Sequence, residues 1–312
     1  MKVFNNSKIS KAYKRSIIAI GNFDGAHIGH QKVFNEAKKF AKRNKIKFGI
    51  LSFTPLPIMF FNKKIKNYRL SSENQKIKLL EKYKSNFMIK LKFNKSLSNM
   101  SAENFLRNII FKRINPKYIF VSNNFKFGKN RIGNIGMLKR LSKKYDYNLV
   151  NTNPVKYDKK IVSSTRIRKC LETGNLFLAN KLLTRTWVIE ERVRKGKRIG
   201  KKLGYPTCNI DIGSYATPKI GVYAVKIIIE NNKKVLKGIA NFGNQPTFGG
   251  TKLLLEVNLF KFKKNLYNKK LKIYFIKYIR NEKKFRNSRE LIQQIKKDVI
   301  LAKKHLKTKI VL

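Results

Sequence analysis

Two of the three histidines in the 312-residue chain lie three positions apart, in a glycine-rich segment that follows a short apolar run. The run covers residues 16–20, and the segment reads GNFDGAHIGH before a helical pattern begins. A strand, a tight glycine loop and a helix start together favour phosphate binding, because glycine lets the backbone approach a ligand and the helix start offers free N–H groups. The predicted phosphate-site residues are Gly21, Asn22, Phe23, Asp24, Gly25, His27, Gly29 and His30.

The spacing of His27 and His30 at a helix start lets both imidazoles face the same anion. The alternative is a plain strand-to-helix turn with incidental histidines. That interpretation does not explain why two of the three histidines of the chain lie beside glycines at the end of one strand. The pattern therefore favours a site that handles the phosphates of a nucleotide.

A second candidate phosphate site is the segment SSTRIR at residues 163–168. Hydroxyl groups at a helix start followed by arginines suit a nucleotide's phosphates, and Ser164, Thr165 and Arg168 are the candidate ligands. A segment of this kind on its own is more typical of an ordinary helix cap. Its occurrence together with the first segment favours a nucleotide site.

Three glycines recur every four residues before the tetrapeptide PTCN. They are Gly196, Gly200 and Gly204, which are candidate ATP- and phosphate-binding residues although their spacing does not match a Walker A loop. In an extended segment alternate side chains share a face, so Thr207 and Asn209 point the same way. A hydroxyl and an amide oxygen suit Mg²⁺ that phosphates and water otherwise coordinate. PTCN alone is more typical of the start of a strand.

A lone acid, Glu256, interrupts the apolar run LLLEV at residues 253–257. A carboxylate in an apolar strand costs free energy unless it has a partner or a chemical role. The alternative is a carboxylate on the outward face of the strand. We therefore treat Glu256 as a candidate catalytic group.

Short apolar runs alternate with helical patterns between residues 16 and 150, which is typical of a parallel sheet flanked by helices. The predicted strands are 16–20, 47–53, 87–93 and 118–121. The predicted helices are 30–43, 72–84, 101–113 and 133–145, with Ser101 as an N-cap. The N-terminal part is therefore predicted to have an α/β fold.

After residue 183 the pattern changes to β-rich segments separated by Gly, Pro and Asn turns, which favours an antiparallel sheet or a small barrel. The predicted strands are 187–193, 222–229, 235–241, 253–259 and 271–278. One amphipathic helix, residues 288–305 with Ser288 as N-cap, follows. The sequence thus predicts two domains, residues 1–183 and 184–312.

The chain carries 73 Lys and Arg against 16 Asp and Glu, a formal net charge of +57. Such a charge suggests nucleic-acid binding, but the lysines are scattered along the whole length and form no basic stripe with interleaved aromatics. We therefore expect small-molecule partners and no specific nucleic acid. The apolar runs are too short for a membrane span or a signal peptide, and Cys170 and Cys208 form no CxxC pattern, so we expect a cytoplasmic protein. The oligomeric state stays open.

GNFDGAHIGH and SSTRIR together resemble the nucleotidyltransferase module of the bacterial bifunctional riboflavin kinase and FAD synthetase family. The resemblance continues through residues 124–128 and GVY at 221–223 to NFGNQPTF at 241–248 and the Arg280 to Phe285 region, so it covers essentially the whole chain. It implies a Rossmann-like nucleotidyltransferase domain and a C-terminal β-barrel kinase domain. It also implies two reactions, riboflavin plus ATP to FMN and then FMN plus ATP to FAD, both with Mg²⁺.

The same resemblance implies roles for the N-terminal candidates. His27 and His30 would stabilise the pentavalent α-phosphorus and the departing pyrophosphate. The triphosphate would be held by Ser164, Thr165 and Arg168.

In the kinase module, Thr207 and Asn209 would bind Mg²⁺ and ATP. Glu256 would accept the proton of the ribityl hydroxyl as it attacks the γ-phosphate. The residues implied in flavin binding in the two modules are Asn124, Phe125 and Arg280.

Three positions depart from the family pattern. Thr54 and Leu56 replace the acid and the histidine of Phe-Glu-Pro-His-Pro, and Asn124 replaces the aspartate of Asp-Phe-x-Phe-Gly. A milder change is Lys201, where arginine is common. An alternative is therefore a chain that kept only the kinase activity. A third alternative, from another class, is a basic nucleic-acid-binding protein on the same scaffold.

Overall fold

A computed structural model describes residues 1–195, 203–247, 250–262 and 264–307. The chain divides into two units, of which the first comprises residues 1–66 and 73–163 and the second residues 67–72 and 164–312. Residues 164–183 group with the second unit by their contacts. The boundary predicted at residue 183 stays a prediction about where the two activities divide.

The first unit contains a six-stranded sheet in which every neighbouring pair is parallel, in the order β1-β4-β3-β2-β5-β6. Its strands are β1 Lys2–Phe4, β2 Ile17–Ile20, β3 Phe48–Thr54, β4 Phe87–Lys92, β5 Tyr118–Ser122 and β6 Asn148–Thr152. The four predicted strands and the parallel α/β architecture are confirmed. The sequence prediction did not include β1 and β6, which lie at the two edges of the sheet.

Both faces of this sheet are covered, which explains why the central strand β2 is a continuous apolar run. Ile18 and Ile20 of β2 pack into one hydrophobic cluster, whereas Ile17 and Ala19 pack into another. The chain runs from β2 to β3 on one side of β2 and later returns to β5 on the other side. Open parallel sheets bind ligands at such a switch point, beyond the carboxyl ends of the strands.

Helices lie at all four predicted places in the first unit, and two short helices, Pro57–Phe61 and Lys95–Ser98, were not predicted. They are α1 Ile28–Arg43, α2 Pro57–Phe61, α3 Glu73–Glu81, α4 Lys95–Ser98, α5 Ala102–Asn104 and α6 Ile135–Leu141. Helix α5 continues as a π-helix over Phe105–Ile114. Ser101 is the N-cap as predicted, since its side chain accepts a hydrogen bond from the Asn104 N–H at 3.2 Å. A short hairpin follows β6, with strands β7 Lys156–Tyr157 and β8 Lys160–Ile161.

The second unit is built on a closed antiparallel barrel of order β10-β13-β12-β11-β14-β9, which confirms the predicted barrel. Its strands are β9 Val188–Arg194, β10 Cys208–Ile210, β11 Gly221–Ile229, β12 Leu236–Thr247, β13 Gly250–Leu259 and β14 Lys270–Arg280. Helices α7 Ser164–Glu172 and α8 Leu176–Leu183 precede the barrel, and α9 Ser288–His305 follows it.

The terminal helix α9 has the predicted bounds, but its N-cap lies one residue earlier than predicted. Asn287 is the N-cap, and its side chain accepts a hydrogen bond from the Glu290 N–H at 3.0 Å. The Glu290 carboxylate in turn accepts a hydrogen bond from the Arg286 N–H at 3.1 Å. The prediction of Ser288 as N-cap is therefore wrong, because the neighbouring Asn is an equally good cap and has the extended backbone of that position.

The segment Asn67–Ser72 packs with the barrel although the chain on both sides of it belongs to the first unit. The N–H groups of Tyr68 and Arg69 both donate to the Ser214 carbonyl, at 2.9 and 2.8 Å. The Ala216 N–H donates back to the Arg69 carbonyl at 2.7 Å. Among the described residues, none of the helices combines the length and the apolar character that crossing a bilayer requires.

Candidate active sites

The loop that follows β2 has an unusual backbone. Phe23, Gly25 and Ala26 adopt positive φ angles of 50°, 76° and 41°. Positive φ is uncommon and costly for residues other than glycine, and it occurs often at ligand-binding sites. Alternation of right-handed and left-handed conformations is also typical of backbone that binds anions. The loop starts at the carboxyl end of β2, at the switch point of the sheet, so it lies where a nucleotide is expected.

The two imidazoles of this loop are in contact. The rings of His27 and His30 stack with centroids 3.6 Å apart and planes at 21°. The Phe23 ring meets the His30 ring edge-on at 5.3 Å. A side chain on Gly29 would place its Cβ 3.2 Å from two atoms of the His27 ring, so glycine leaves room for the stack. The geometry brings the histidines together at the start of α1, while their chemical role stays a prediction.

The pKa of His30 lies well below the ordinary value of 6.5. Burial is the largest cause, and the positive charges of His27 and Lys76 add to it. The Nδ1 atom of His30 is buried and has no hydrogen-bond partner among the described residues. His30 is therefore neutral at pH 7.

Three further residues tie the loop to the sheet. The ammonium group of Lys76, a residue only 1% exposed, donates to the Ser52 hydroxyl at 3.0 Å. That hydroxyl donates to the Asn22 carbonyl at 3.0 Å. The Glu73 carboxylate lies 3.4 Å from the Lys76 ammonium. The sequence reasoning missed this group, because Lys76 is one of 73 basic residues and the only local signal is its position on one helix face with buried Leu80.

The loop after β5 holds the predicted flavin residues of the first unit. Asn124 is exposed and accepts a hydrogen bond from the Ser122 hydroxyl at 2.8 Å. The Phe125 ring stacks on the Phe127 ring at 5.5 Å. Since β5 is the neighbour of β2, this loop and the histidine loop lie at the same edge of the sheet. The proposed flavin contacts themselves stay predictions.

The second predicted phosphate group lies in the other unit. Ser164 and Thr165 open α7, and Arg168 follows one turn later, 8% exposed. The Arg168 side chain donates from Nε to the Tyr68 carbonyl at 2.6 Å, and its guanidinium lies 3.6 Å from the centroid of the Tyr68 ring. Segment 67–72 thus orients this arginine. Its contact with a triphosphate stays a prediction.

Three polar residues form a row across the barrel. Asn209 on β10 pairs with Glu256 on β13, which pairs with Asn241 on β12. Leu255 and Val257, the neighbours of Glu256, are fully buried, whereas Glu256 is partly exposed. Because side chains alternate along a strand, the row lies on the outer face of the barrel. The Asn209 Oδ1 atom is buried and has no hydrogen-bond partner among the described residues, and its contact with a metal ion stays a prediction.

Arg280, a predicted flavin residue, is engaged by an acid of the terminal helix. Its Nε lies 2.9 and 3.0 Å from the two Asp298 carboxylate oxygens, and Nη2 lies 2.7 Å from one of them. The nearby Glu282 carboxylate accepts a hydrogen bond from the Asn241 amide at 3.1 Å. The Glu282 carboxylate also lies against the Cα of Gly243, where a side chain would require it to move. Glu282 therefore borders the polar row, and the flavin contact of Arg280 stays a prediction.

The remaining kinase candidates are only partly described. Thr207 is exposed just before β10, and Gly204 is exposed with a φ of 81°. Gly196, Gly200 and Lys201 lie outside the described residues.

Comparison with known proteins places both units in one family. The FAD synthetase family model matches residues 9–166, and the riboflavin kinase model matches residues 183–306. The bifunctional riboflavin kinase/FMN adenylyltransferase of Buchnera aphidicola subsp. Schizaphis graminum is 41% identical over 300 residues, which cover 95% of this chain and 96% of the relative. The proteins of the same name from Haemophilus influenzae and Bacillus subtilis are 36% and 34% identical and cover 92% and 93% of this chain, which spans 92% of each relative. The chain belongs to the bifunctional riboflavin kinase/FMN adenylyltransferase family.

A solved structure also resembles this chain over almost its whole length. It is the crystal structure of a protein from Streptococcus pneumoniae, named a macrolide-efflux protein, with 26% identity and a TM-score of 0.83. The similarity covers 96% of this chain and 98% of that one.

The departures from the riboflavin kinase/FMN adenylyltransferase pattern have structural counterparts. The Thr54 hydroxyl donates to the Glu73 carboxylate at 3.0 Å, so a carboxylate is still present beside position 54. Leu56 is 2% exposed and therefore belongs to the apolar interior. Asn124 keeps a polar side chain in the loop after β5.

Proposed function

We propose that the chain makes FAD from riboflavin in two ATP-dependent steps. The barrel phosphorylates riboflavin to FMN, and the first unit transfers an adenylyl group to FMN. The observation that carries the proposal is that each family-matched part has its own group of reactive side chains, the stacked imidazoles and the Asn209–Glu256–Asn241 row.

In the kinase step, the ribityl hydroxyl oxygen attacks the γ-phosphorus of ATP, its proton passes to Glu256, and ADP leaves. Mg²⁺ neutralises the phosphate charges when it is bound. The free Oδ1 of Asn209 and the hydroxyl of Thr207 fit such an ion, since Mg²⁺ prefers oxygen ligands and keeps water and phosphate in its coordination shell.

In the adenylyl-transfer step, a phosphate oxygen of FMN attacks the α-phosphorus of ATP, and pyrophosphate leaves. That oxygen is already a nucleophile, so the protein must position the reactants and stabilise negative charge. The start of α1 and the imidazoles of His27 and His30 supply hydrogen-bond donors and positive dipole ends at the switch point.

We further infer a cytoplasmic enzyme with small-molecule substrates. Cys170 and Cys208 are both free thiols, which fits a reducing compartment. The scattered distribution of the lysines supports the view that nucleic acid is not the specific partner.

A chain with kinase activity alone is the second candidate, favoured by Leu56 and Asn124. Incubation of the purified protein with riboflavin, ATP and Mg²⁺ separates the two, with FMN and FAD quantified by chromatography. We expect FMN first and FAD after it. Accumulation of FMN without FAD would leave only the kinase, and absence of both products would refute the proposal.

A further inference from the structure

We propose that Lys76, Ser52 and Glu73 form a buried relay that positions the histidine loop for adenylyl transfer. Lys76 holds the loop through Ser52, and Glu73 is the counter-charge that keeps Lys76 an ammonium ion. This inference rests on the proposed function of the first unit. None of the three residues touches the reacting atoms in the proposed reaction, so they are positioning residues.

The cost of burying Lys76 is the first argument. An ammonium group removed from water loses most of its favourable hydration, so a lysine that is 1% exposed needs close polar partners. Lys76 has the Glu73 carboxylate at 3.4 Å and the Ser52 hydroxyl at 3.0 Å. An apolar residue on the same helix face would pack there without that cost. Packing alone therefore does not explain why a lysine occupies position 76, whereas its contacts with Glu73 and Ser52 do.

The relay ends on the backbone of the loop. Ser52 accepts from Lys76 and donates to the Asn22 carbonyl, so its hydroxyl hydrogen has a defined direction. A trans peptide is planar, so fixing the Asn22 carbonyl toward Ser52 turns the N–H of Phe23 the opposite way. The left-handed residues Phe23 and Gly25 follow directly. The relay thus fixes the first peptide of the strained part of the loop.

The relay also contributes charge to the site. The ammonium group of Lys76 is one of the causes that hold the pKa of His30 below its ordinary value. A fixed cation that is already in place needs no reorganisation when the triphosphate arrives. The Glu73 carboxylate lies 3.4 Å from this cation, and it also accepts a hydrogen bond from the Thr54 hydroxyl at 3.0 Å.

The first test compares Lys76→Met with Lys78→Met. Lys78 is an exposed lysine on the same helix, so it controls for the loss of one charge. We expect Lys76→Met to lower FAD formation from supplied FMN by about tenfold or more, and Lys78→Met to change it by less than about twofold. Riboflavin phosphorylation, measured in the same samples, should be unchanged in both. Equal FAD formation in the two variants would overturn the proposal.

Ser52→Ala is a second variant that tests the same proposal if the Lys76→Met protein does not fold. It removes the relay hydroxyl without adding volume. We expect a smaller loss of FAD formation than for Lys76→Met, and faster hydrogen exchange of the loop peptide 21–27. Hydrogen exchange needs no turnover, so it separates the two hypotheses. No FAD from the wild-type protein, with loop exchange that responds to Ser52→Ala, would refute the proposed function. FAD from the wild type, with loop exchange that does not respond, would refute the relay.

The second test is the pH profile of Glu73→Gln. Lys76 is faced by Glu73 on its own helix, by Ser52 on β3 and by His30 on α1. Without the Glu73 charge, burial lowers the pKa of the Lys76 ammonium, which is then lost as the pH rises. We expect FAD formation by the variant to fall between about pH 7 and pH 9 while that of the wild type does not. Asp24, buried on the turn against which α3 packs, and His27, which stacks on His30, are further titratable groups of this region and are unchanged in both proteins.

A rescue variant completes the test. The Thr54 hydroxyl lies 3.0 Å from the Glu73 carboxylate, so a glutamate at position 54 reaches the same space. We expect Thr54→Glu in the Glu73→Gln background to restore most of the FAD formation at pH 9. A profile that stays flat in Glu73→Gln, or one that falls and is not restored by Thr54→Glu, would show that Glu73 is not the counter-charge.

Discussion

His30 is packed so that a proton on its ring is disfavoured. The His27 ring stacks on it, the Phe23 ring closes one edge, and the Lys76 ammonium adds positive charge nearby. A neutral imidazole can donate one hydrogen bond and accept another. When a polyphosphate binds, its negative charge favours the protonated ring, so binding and proton uptake are expected to be linked.

We predict that the ring of His30 stays neutral to well below pH 6.5 in the free protein. The unfolded chain binds this proton near pH 6.5 and the folded chain does not, so the contribution of His30 to stability is lost as the pH falls below 6.5. Ring ¹⁵N chemical shifts between pH 5 and pH 8 measure the midpoint, with His30→Asn to assign the signal. A midpoint at or above 6.5 would contradict the prediction.

We predict that one substitution in each site lowers only the activity proposed for that site. Glu256→Gln removes the proposed base of the kinase step and should lower FMN formation by about 10² to 10⁴-fold, while FAD formation from supplied FMN persists. His30→Ala should do the reverse, with a loss of about 10²-fold or more in FAD formation. Each variant is the control for the other, and both products are measured by chromatography. Equal loss of both activities in either variant would show that the sites are wrongly assigned.

At the scale of elements, the terminal helix α9 is tied to the barrel by one buried ion pair. Asp298 is 2% exposed and receives bonds from Arg280 on β14 and from the Gln294 amide at 2.8 Å. Ala302 and Leu306 of the same region pack against barrel residues. A buried pair of this kind is costly to break, because one charge is left without its partner.

We predict that Asp298→Asn lowers the free energy of unfolding by about 3 kcal/mol, since the Arg280 guanidinium loses its carboxylate. The matched control is Glu172→Gln, which removes a carboxylate from an exposed pair with Lys169 and should cost less than about 0.5 kcal/mol. Urea titration followed by circular dichroism measures both. Equal costs would contradict the role of the buried pair.

The elements that the sequence predicted are those with a local signal. Strand β2 is an unbroken apolar run and β3 is mostly apolar, and Ser101 is a residue type that is common at N-caps, so these features could be predicted. Asn287 and Ser288 are adjacent residues of equal capping quality, and only the backbone angles decide between them. The edge strand β1 has three residues, too few for a periodic pattern.

The residues of the two sites also differ in whether a local sequence pattern could predict their contacts. His27 and His30 are neighbours in sequence, so their meeting could be predicted from spacing alone. The polar row of the barrel forms only because the strands pair in a particular register, which brings together Asn209, Glu256 and Asn241. Closure of the barrel fixes that register, and no local sequence pattern reveals it. The Lys76 relay joins α3, β3 and the loop, and a buried lysine looks like any other lysine in a chain with 73 basic residues.

At the scale of the molecule, the net charge of +57 produces repulsion that the 16 acidic residues cannot balance. Several acids are already committed to specific partners, such as Asp298 with Arg280 and Glu190 with Lys270 at 2.9 Å. Most cations therefore face solvent and one another. The compact state should depend on dissolved ions to screen them.

We predict that the melting temperature rises when NaCl is raised from about 50 mM to about 500 mM, because the screening length shortens from about 14 Å to about 4 Å. Differential scanning calorimetry measures the shift. NaF at equal ionic strength should act in the same direction, since screening does not depend on the identity of the anion. A melting temperature that falls or stays constant would contradict the prediction.

The segment Asn67–Ser72 also constrains how the chain is made. A ribosome delivers residues 1–163 first, and with them the whole sheet and histidine loop of the first unit. The partners of the segment, the Ser214 carbonyl and the Ala216 N–H, emerge only later in translation. The indole N–H of Trp187, which donates to the Leu70 carbonyl at 3.1 Å, also emerges after it. These hydrogen bonds between the segment and the barrel can therefore form only after the barrel strands have left the exit tunnel.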